Sequence, residues 1–205
     1  MNARKIPDII IGRLPVYLRA LQRMADMGLK TTSSQELGEH VGISAAQIRK
    51  DISQFGEFGK QGTGYSIEYL IGQLREILKV DRIWDVIVVG AGDMGHAVAN
   101  YQGFQDRGFH IVAIFDNDKE KVGQVIGNFK VEDTESMSER VKEMGVKVAM
   151  LAVPATAAQQ VADQLMQAGV RAFLNYAPIS LAVPGNVKVQ YIDPSIHLQR
   201  MTYYL

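Results

Sequence analysis

Val86-Ile87-Val88-Val89-Gly90-Ala91-Gly92-Asp93-Met94-Gly95 is the stretch on which the reading of this chain turns. Four consecutive apolar residues, three of them valine, suit a strand buried on both faces. The run passes straight into G-x-G-x-x-G, and a helical stretch over residues 96–101 follows. In that setting the first glycine permits the tight turn, the second lets backbone approach a diphosphate, and the third lets the helix pack on the strand. The first N–H groups of the helix then face the phosphates. Standing alone, such glycines are a bare turn; the flanking strand and helix make them a dinucleotide loop. The candidate cofactor contacts are therefore Gly90, Ala91, Gly92, Asp93, Met94 and Gly95. Ile111 to Phe115 reads as the next strand and ends in Asp116, 21 residues after Gly95. A carboxylate there accepts hydrogen bonds from ribose hydroxyls and repels a 2′-phosphate, so NADH and NAD+ are expected rather than their phosphorylated forms.

The alternation continues to the end of the chain. Residues 135–144 read as a helix, 148–153 as a strand ending at Pro154, 156–168 as a helix closed by Gly169, and 170–174 and 187–192 as strands. Strands alternating with helices predict an α/β, Rossmann-type doubly wound parallel sheet. Ligands lie at the carboxyl ends of such strands, so Val153, Pro154, Asn175 and Tyr176 are expected at the nicotinamide end of the pocket, with ordinary loop punctuation as the alternative. A hydride-transfer enzyme needs a substrate pocket and a proton donor. His96, His110 and His197 fall at no strand end, although Tyr101, Lys121 and Tyr176 are conceivable donors. This half leaves no room for a separate substrate domain. The expectation is a sensor rather than an enzyme. An NAD-dependent oxidoreductase or a CoA-type binding protein with an incidental basic face is the second reading.

The first half differs in character. Leu14, Val16, Leu18, Leu21, Met24, Ala25 and Met27 recur roughly at helical spacing, with Pro15 suited to a first turn and Gly28 to a C-terminal stop. Ser33 with Glu36 forms a capping box that opens a short helix to about Val41, and Gly42 breaks it. Ser44 with Gln47 forms a second, opening a helix from Ala45 to about Phe55. Two short helices on a tight turn make a helix-turn-helix. Ile48, Ile52 and Phe55 face inward, while Ser44, Gln47, Arg49, Lys50 and Ser53 form the candidate DNA surface behind the small residues Ala45 and Ala46. The glycine-rich segment 56–64 then predicts a two-stranded ribbon running to Ile67, with Lys60 and Gln61 at its tip. Helix-turn-helix and ribbon together are a winged helix.

Composition agrees with this division. Residues 1–80 carry 11 Lys/Arg against 8 Asp/Glu, net +3, and residues 81–205 carry 11 against 14, net −3, which sum to the zero of the whole chain. A zero total excludes a uniformly basic nucleic-acid coat but not a basic module on an acidic one. No cysteine occurs among the 205 residues, which excludes disulfide scaffolds, thiolate metal sites and cysteine nucleophiles. No apolar run reaches the ~18 residues of a membrane span, and residues 1–15 do not read as a signal peptide, so a cytoplasmic protein is expected. Residues 195–205, opened by Asp193-Pro194, read as a final helix with an apolar stripe of Ile196, Met201, Tyr204 and Leu205. Too short to be stable alone, it packs either on its own sheet or on a second subunit. DNA readers of this size are commonly two-fold dimers.

Several segments taken together resemble the Rex family of redox-sensing transcriptional repressors. They are Arg13-Leu14-Pro15 with Tyr17 and Arg19, Gln47-Ile48-Arg49-Lys50-Asp51, Phe55 to Lys60, Gly62 to Tyr65, the 90–95 loop, Phe115-Asp116, Val153-Pro154-Ala155 with Ala158-Gln159, and Leu174 to Pro178. The resemblance spans the chain. It implies a homodimer that binds an inverted-repeat DNA operator and leaves it when NADH occupies the Rossmann site, NAD+ competing weakly. It also implies a winged helix over 1–79, a Rossmann domain over 80–192 and a C-terminal helix over 193–205 exchanged between subunits. Arg49 and Lys50 match the family's major-groove pair, and Arg19, Tyr101 and Asp193 a network coupling the nicotinamide pocket to the winged helix. Two positions depart from the pattern: Gln61 stands where a basic residue is usual, and Pro194 where a large apolar one is.

Overall fold

The structure is a computed structural model that describes residues 6–56, 58–60 and 64–205. The chain divides into two compact units, Met1–Arg82 and Ile83–Leu205.

The first unit runs α1 (Asp8–Asp26), β1 (Thr31–Thr32), α2 (Ser34–Val41), α3 (Ala45–Ile52), β2 (Gly59–Lys60), β3 (Gly64–Ser66) and α4 (Ile67–Ile77). Its three strands form an antiparallel sheet in the order β1-β3-β2. The core gathers Leu14, Tyr17 and Leu21 of α1, Leu37 of α2, Ile48 of α3, and Leu70 and Leu74 of α4. The Ser33 capping box is complete: its Oγ accepts from the Glu36 N–H at 3.1 Å, and the Glu36 carboxylate accepts from the Ser33 N–H at 2.7 Å. Four expectations change. Pro15 lies inside α1, not in its first turn, because the helix starts after Pro7, seven residues ahead of the leucine pattern. The exposed side of α1 tolerates the missing N–H. The second capping box is only half made, since Ser44 accepts from the Gln47 N–H at 3.3 Å while the Gln47 side chain turns instead to Asp51. Helix α3 stops at Ile52 because Gln54 and Phe55 close three-residue turns onto Asp51 and Ile52. Ile67 belongs to α4, which Ser66 caps, and not to the ribbon.

The second unit runs β4 (Trp84–Val89), α5 (Asp93–Ala99), a 3₁₀ helix (Gln102–Arg107), β5 (Phe109–Asp116), β6 (Val125–Ile126), β7 (Phe129–Asp133), α6 (Thr134–Met144), β8 (Val148–Leu151), α7 (Ala155–Ala168), β9 (Ala172–Asn175), β10 (Lys188–Tyr191) and α8 (Pro194–Thr202). The sheet order is β10-β9-β8-β4-β5-β7-β6. Every pairing is parallel except β6 with β7, a hairpin that the period of the sequence did not reveal. The chain leaves β4 on one side and returns to its other side with β8, so the strand order reverses beside β4 and opens a crevice at the carboxyl ends. Ile87, Val89, Ala113, Phe115, Ala149 and Leu151 face α6 and α7, while Val86, Val88, Ile111, Ile114 and Met150 face the other way. Both faces of the central strands are buried, as the unbroken Val-Ile-Val-Val run requires. No helix among the described residues is long and apolar enough to cross a membrane.

Replacing Pro15 with alanine restores the N–H that an α-helix directs at the carbonyl of Ile11. We expect Pro15→Ala to stabilise the first unit by roughly 1–3 kcal/mol in denaturant unfolding, and a loss of stability would refute its reading as a mid-helix proline.

Candidate functional site

The crevice beside β4 is a cleft of about 720 Å³ lined by Gly90, Gly92, Asp116, Asn117, Asp118, Lys121, Thr134, Val153, Pro154 and Gln160, among others. The three glycines of its loop do three different jobs. Gly90 has φ +103°, and a Cβ there would lie 2.3 Å from the Ala152 carbonyl oxygen, so β4 and β8 close on each other through bare backbone. A Cβ on Gly95 would meet the Gly90 carbonyl oxygen at 1.9 Å, so α5 rests directly on the turn. Gly92 has ordinary backbone and would meet nothing within 4 Å. Neither conformation nor packing within the chain calls for glycine at 92.

Asp116 ends β5 at the floor of the cleft and is buried. Its Oδ2 accepts from the Ala91 N–H at 2.7 Å and its Oδ1 from the Asp118 N–H at 2.8 Å, with the Lys121 ammonium 3.4 Å from Oδ2. Burial pushes this carboxyl up, but the backbone hydrogen bonds from Asp118 and Ala91 and the Lys121 charge outweigh it, leaving the group below its ordinary value. Asp116 is thus ionised and ties the glycine loop to β5. Open space at Gly92 beside a buried carboxylate fits a molecule with a diphosphate and vicinal hydroxyls.

The remaining expected cofactor contacts fall differently. Val153 and Pro154 line the cleft, whereas Asn175 and Tyr176 are absent from its lining. The Asn175 carboxamide is spent on its own loop: Nδ2 donates to the carbonyls of Ala177 at 3.1 Å and Ile179 at 3.0 Å, and Oδ1 accepts from the Ala177 N–H at 3.0 Å. A buried amide must satisfy itself, and here the nearest partners are local. Tyr176 is half-buried against the Val86 face of the sheet, and burial pushes its phenol up. Asp93 and Met94 are exposed in the first turn of α5. Lys121, Thr134 and Gln160 line the cleft although sequence spacing did not nominate them as contacts; Lys121 enters the sequence reading only as a conceivable proton donor.

In the first unit, α3 carries the candidate nucleic-acid face. Arg49 Nη1 donates to Ser34 Oγ at 2.9 Å, bridging α3 to the start of α2. Ser44 and Ser53 serve the helix itself, Ser44 as its cap and Ser53 donating to the Lys50 carbonyl at 2.9 Å. Lys50 is exposed and has no side-chain partner among the described residues. Lys60 lies on β2; Gln61 lies outside the described residues.

The members of the expected coupling network have other partners here. The Tyr101 hydroxyl accepts from Arg107 Nη1 at 2.8 Å, and its ring stands edge-on to Phe104 at 4.9 Å. Asp193 caps α8, its Oδ1 accepting from the Ser195 N–H at 2.9 Å and hydroxyl at 2.6 Å. Arg19 is exposed on α1. Pro194 takes the first position of α8, where its missing N–H costs nothing. No residue of α8 is buried; Ile196, Leu198 and Met201 are 59%, 61% and 63% exposed.

Residues 5–53 match a family model described as the N-terminus of a putative DNA-binding protein, and residues 81–179 one described as a CoA binding domain. A redox-sensing transcriptional repressor Rex of Chloroflexus aggregans is 51% identical over 97% of this chain and 94% of its own length. Another, of Desulforamulus reducens, is 45% identical over 100% and 98%. Among solved structures, RSP with β-NAD+ and operator DNA superposes with a TM-score of 0.92 at 36% identity, covering 98% of this chain and 93% of the other. RSP with β-NADH does so at 0.90 and 34%, covering 98% and 94%. The class is a winged-helix module joined to a Rossmann-type nucleotide-binding module. Within that class, the chain belongs to the Rex family of redox-sensing transcriptional repressors.

Two stability measurements separate the roles of the glycines. Gly95→Ala should destabilise the second unit by more than about 2 kcal/mol because a backbone carbonyl cannot move aside, while Gly92→Ala should change stability by less than about 0.5 kcal/mol. Equal effects would refute the assignment. Because the Asp116 pKa is depressed on folding, its contribution is complete above the unfolded value near ~4 and is lost as pH falls through the folded value. The melting-temperature gap between the wild type and Asp116→Asn should therefore be widest near neutrality and close as the solution is acidified below that value.

Proposed function

We propose that this chain represses transcription as a homodimer on an inverted-repeat DNA operator and is released when NADH fills the cleft beside β4. One observation carries the reading: the same chain that matches redox-sensing repressors along 97% of its length has open space before Gly92 next to an ionised Asp116. When bound, the dinucleotide supplies a nicotinamide ring whose two redox states differ by one positive charge. The glycine loop holds the diphosphate through backbone N–H groups, and Asp116 accepts from the ribose hydroxyls and excludes a 2′-phosphate. On α3, Lys50 and Arg49 meet DNA, with Gln47 at the base edges and Ser44, Ser53 and Lys60 beside them. The family is regulatory, and we assign the chain no catalytic residue and a cytoplasmic place of action, where operator DNA and pyridine nucleotides meet.

Helix α8 presents Ile196, Leu198 and Met201 to solvent in the single chain, which supports its exchange onto a second subunit. In that arrangement Asp193, Tyr101 and Arg19 couple the cleft to the DNA-binding face: Asp193 changes partner, and Tyr101 leaves Arg107 to meet it. Release requires that NADH bind the DNA-free dimer more tightly than the DNA-bound one; a full reversal from 1:99 to 99:1 takes ~5.5 kcal/mol of differential binding.

A CoA-type ligand is the second reading, favoured by the description of the model that matches residues 81–179. The 3′-phosphate of coenzyme A would face the same carboxylate repulsion as a 2′-phosphate. Titrating NADH, NAD+, NADPH and coenzyme A into a preformed protein–operator complex decides between them. We expect NADH alone to dissociate it at low concentration. Gly92→Ala and Asp116→Ala should weaken that response at least tenfold with operator binding retained, and Lys50→Ala should do the reverse. Release by coenzyme A or NADPH as readily as by NADH would overturn the proposal.

A further inference from the structure

Asp51 is the one acidic residue of the DNA-facing helix α3, and it is fully buried. Its carboxylate accepts four hydrogen bonds. Arg13 gives two, Nε to Oδ2 at 2.6 Å and Nη2 to Oδ1 at 2.8 Å. Tyr17, one turn further along α1, gives its hydroxyl to Oδ2 at 2.7 Å. The fourth comes from α3 itself, Gln47 Nε2 to Oδ1 at 2.6 Å. Four donors fill the acceptor capacity of a carboxylate. Two of these partners, Arg13 and Tyr17, hold the Asp51 end of α3 on α1.

The consequence falls on Gln47. Turned the other way, its carboxamide would set oxygen against a carboxylate oxygen at the same 2.6 Å, acceptor against acceptor, so Asp51 dictates which end points inward. The amino group is inward. The carbonyl oxygen has no donor among the described residues. Gln47 is half-buried in the first turn of α3, flanked by the exposed Ala46 and by Lys50 one turn on.

We propose, resting on the reading that α3 enters the major groove, that Asp51, gripped by Arg13 and Tyr17, is a positioning residue that locks Gln47 as an outward hydrogen-bond acceptor, so that Gln47 selects a base with an amino group on its major-groove edge at one position of each half-site. Adenine is preferred: its N6 amino group donates to the locked carbonyl oxygen, and its N7 can accept the second N–H of Gln47. Guanine and thymine present acceptors at that edge and are rejected. A glutamine free to flip would not discriminate in this way.

Selection from duplexes with randomised half-sites, using the full-length protein without NADH, tests this. The wild type should prefer adenine at one position by about tenfold or more over guanine or thymine. Gln47→Met, similar in size but without the amide, should erase the preference there and nowhere else. Asp51→Asn should relax the same position, guanine and thymine gaining on adenine, because Gln47 can then turn either way. Weaker binding to every sequence with an unchanged ranking would mean that the cluster only braces the fold, and would overturn the inference. If Asp51→Asn does not fold by circular dichroism, Gln47→Met decides alone, and an unaltered profile for it refutes the idea. A wild type that binds no inverted-repeat duplex would sink the repressor reading as well, an outcome distinct from binding with Gln47 silent.

Discussion

At the carboxyl end of β4 backbone lies on backbone, and the second unit is arranged around that approach. Gly90 admits the Ala152 carbonyl, and Gly95 admits the carbonyl of Gly90. A methyl group at either place would push β8 or α5 away from β4. With both in place, the strand order reverses beside β4, and the cleft opens where the two halves of the sheet diverge. Asp116 then draws the loop onto β5 through the Ala91 N–H. With the Asp118 N–H and Lys121, that Ala91 N–H keeps the Asp116 carboxylate below its ordinary value.

The first unit has its own constraint in the Asp51 carboxylate. An unpaired charge in the core would be strongly destabilising, whereas one that accepts four hydrogen bonds is a directional tie. Burial pushes Asp51 up, the donors from Arg13, Tyr17 and Gln47 outweigh it, and the group stays below the usual carboxylate range. The tie works alongside the apolar contacts of Ile48 and Ile52. Apolar packing holds α3 against its neighbours without direction; the carboxylate adds a preferred rotation and register. The outer face, with Arg49 and Lys50, is turned accordingly.

Much of this was legible in the residues. The glycine loop between strand and helix, the carboxylate at the end of the next strand, the Ser33 capping box and the terminal helix after Asp193 all rest on local rules of spacing and capping. Other features emerge only in the fold. Pro15 looks like a first-turn residue only if the three residues Ile9 to Ile11 are left out of the helix. Ile67 suits a strand or a helix, and the Ser66 cap resolves it. The β6–β7 hairpin is too short to establish a period. Asn175 is at the expected strand end, yet its amide turns to its own loop because burial leaves it no water to bond. Lys121, Thr134 and Gln160 come to the cleft from separate elements, and no spacing along one element could have joined them.

The main alternation of strands and helices and the identity of the dinucleotide loop are properties of the sequence alone, because each depends on residues within one or two turns of each other. Which groups meet across the chain was decided by the tertiary structure. Arg13 and Asp51 lie 38 residues apart, and Ala91 and Asp116 lie 25 apart. A side chain's donors and acceptors are visible in its name, but the partner that uses them is set by packing. That is why Gln47 was legible as a polar residue on the recognition helix, and only the fold shows which end of its amide faces out.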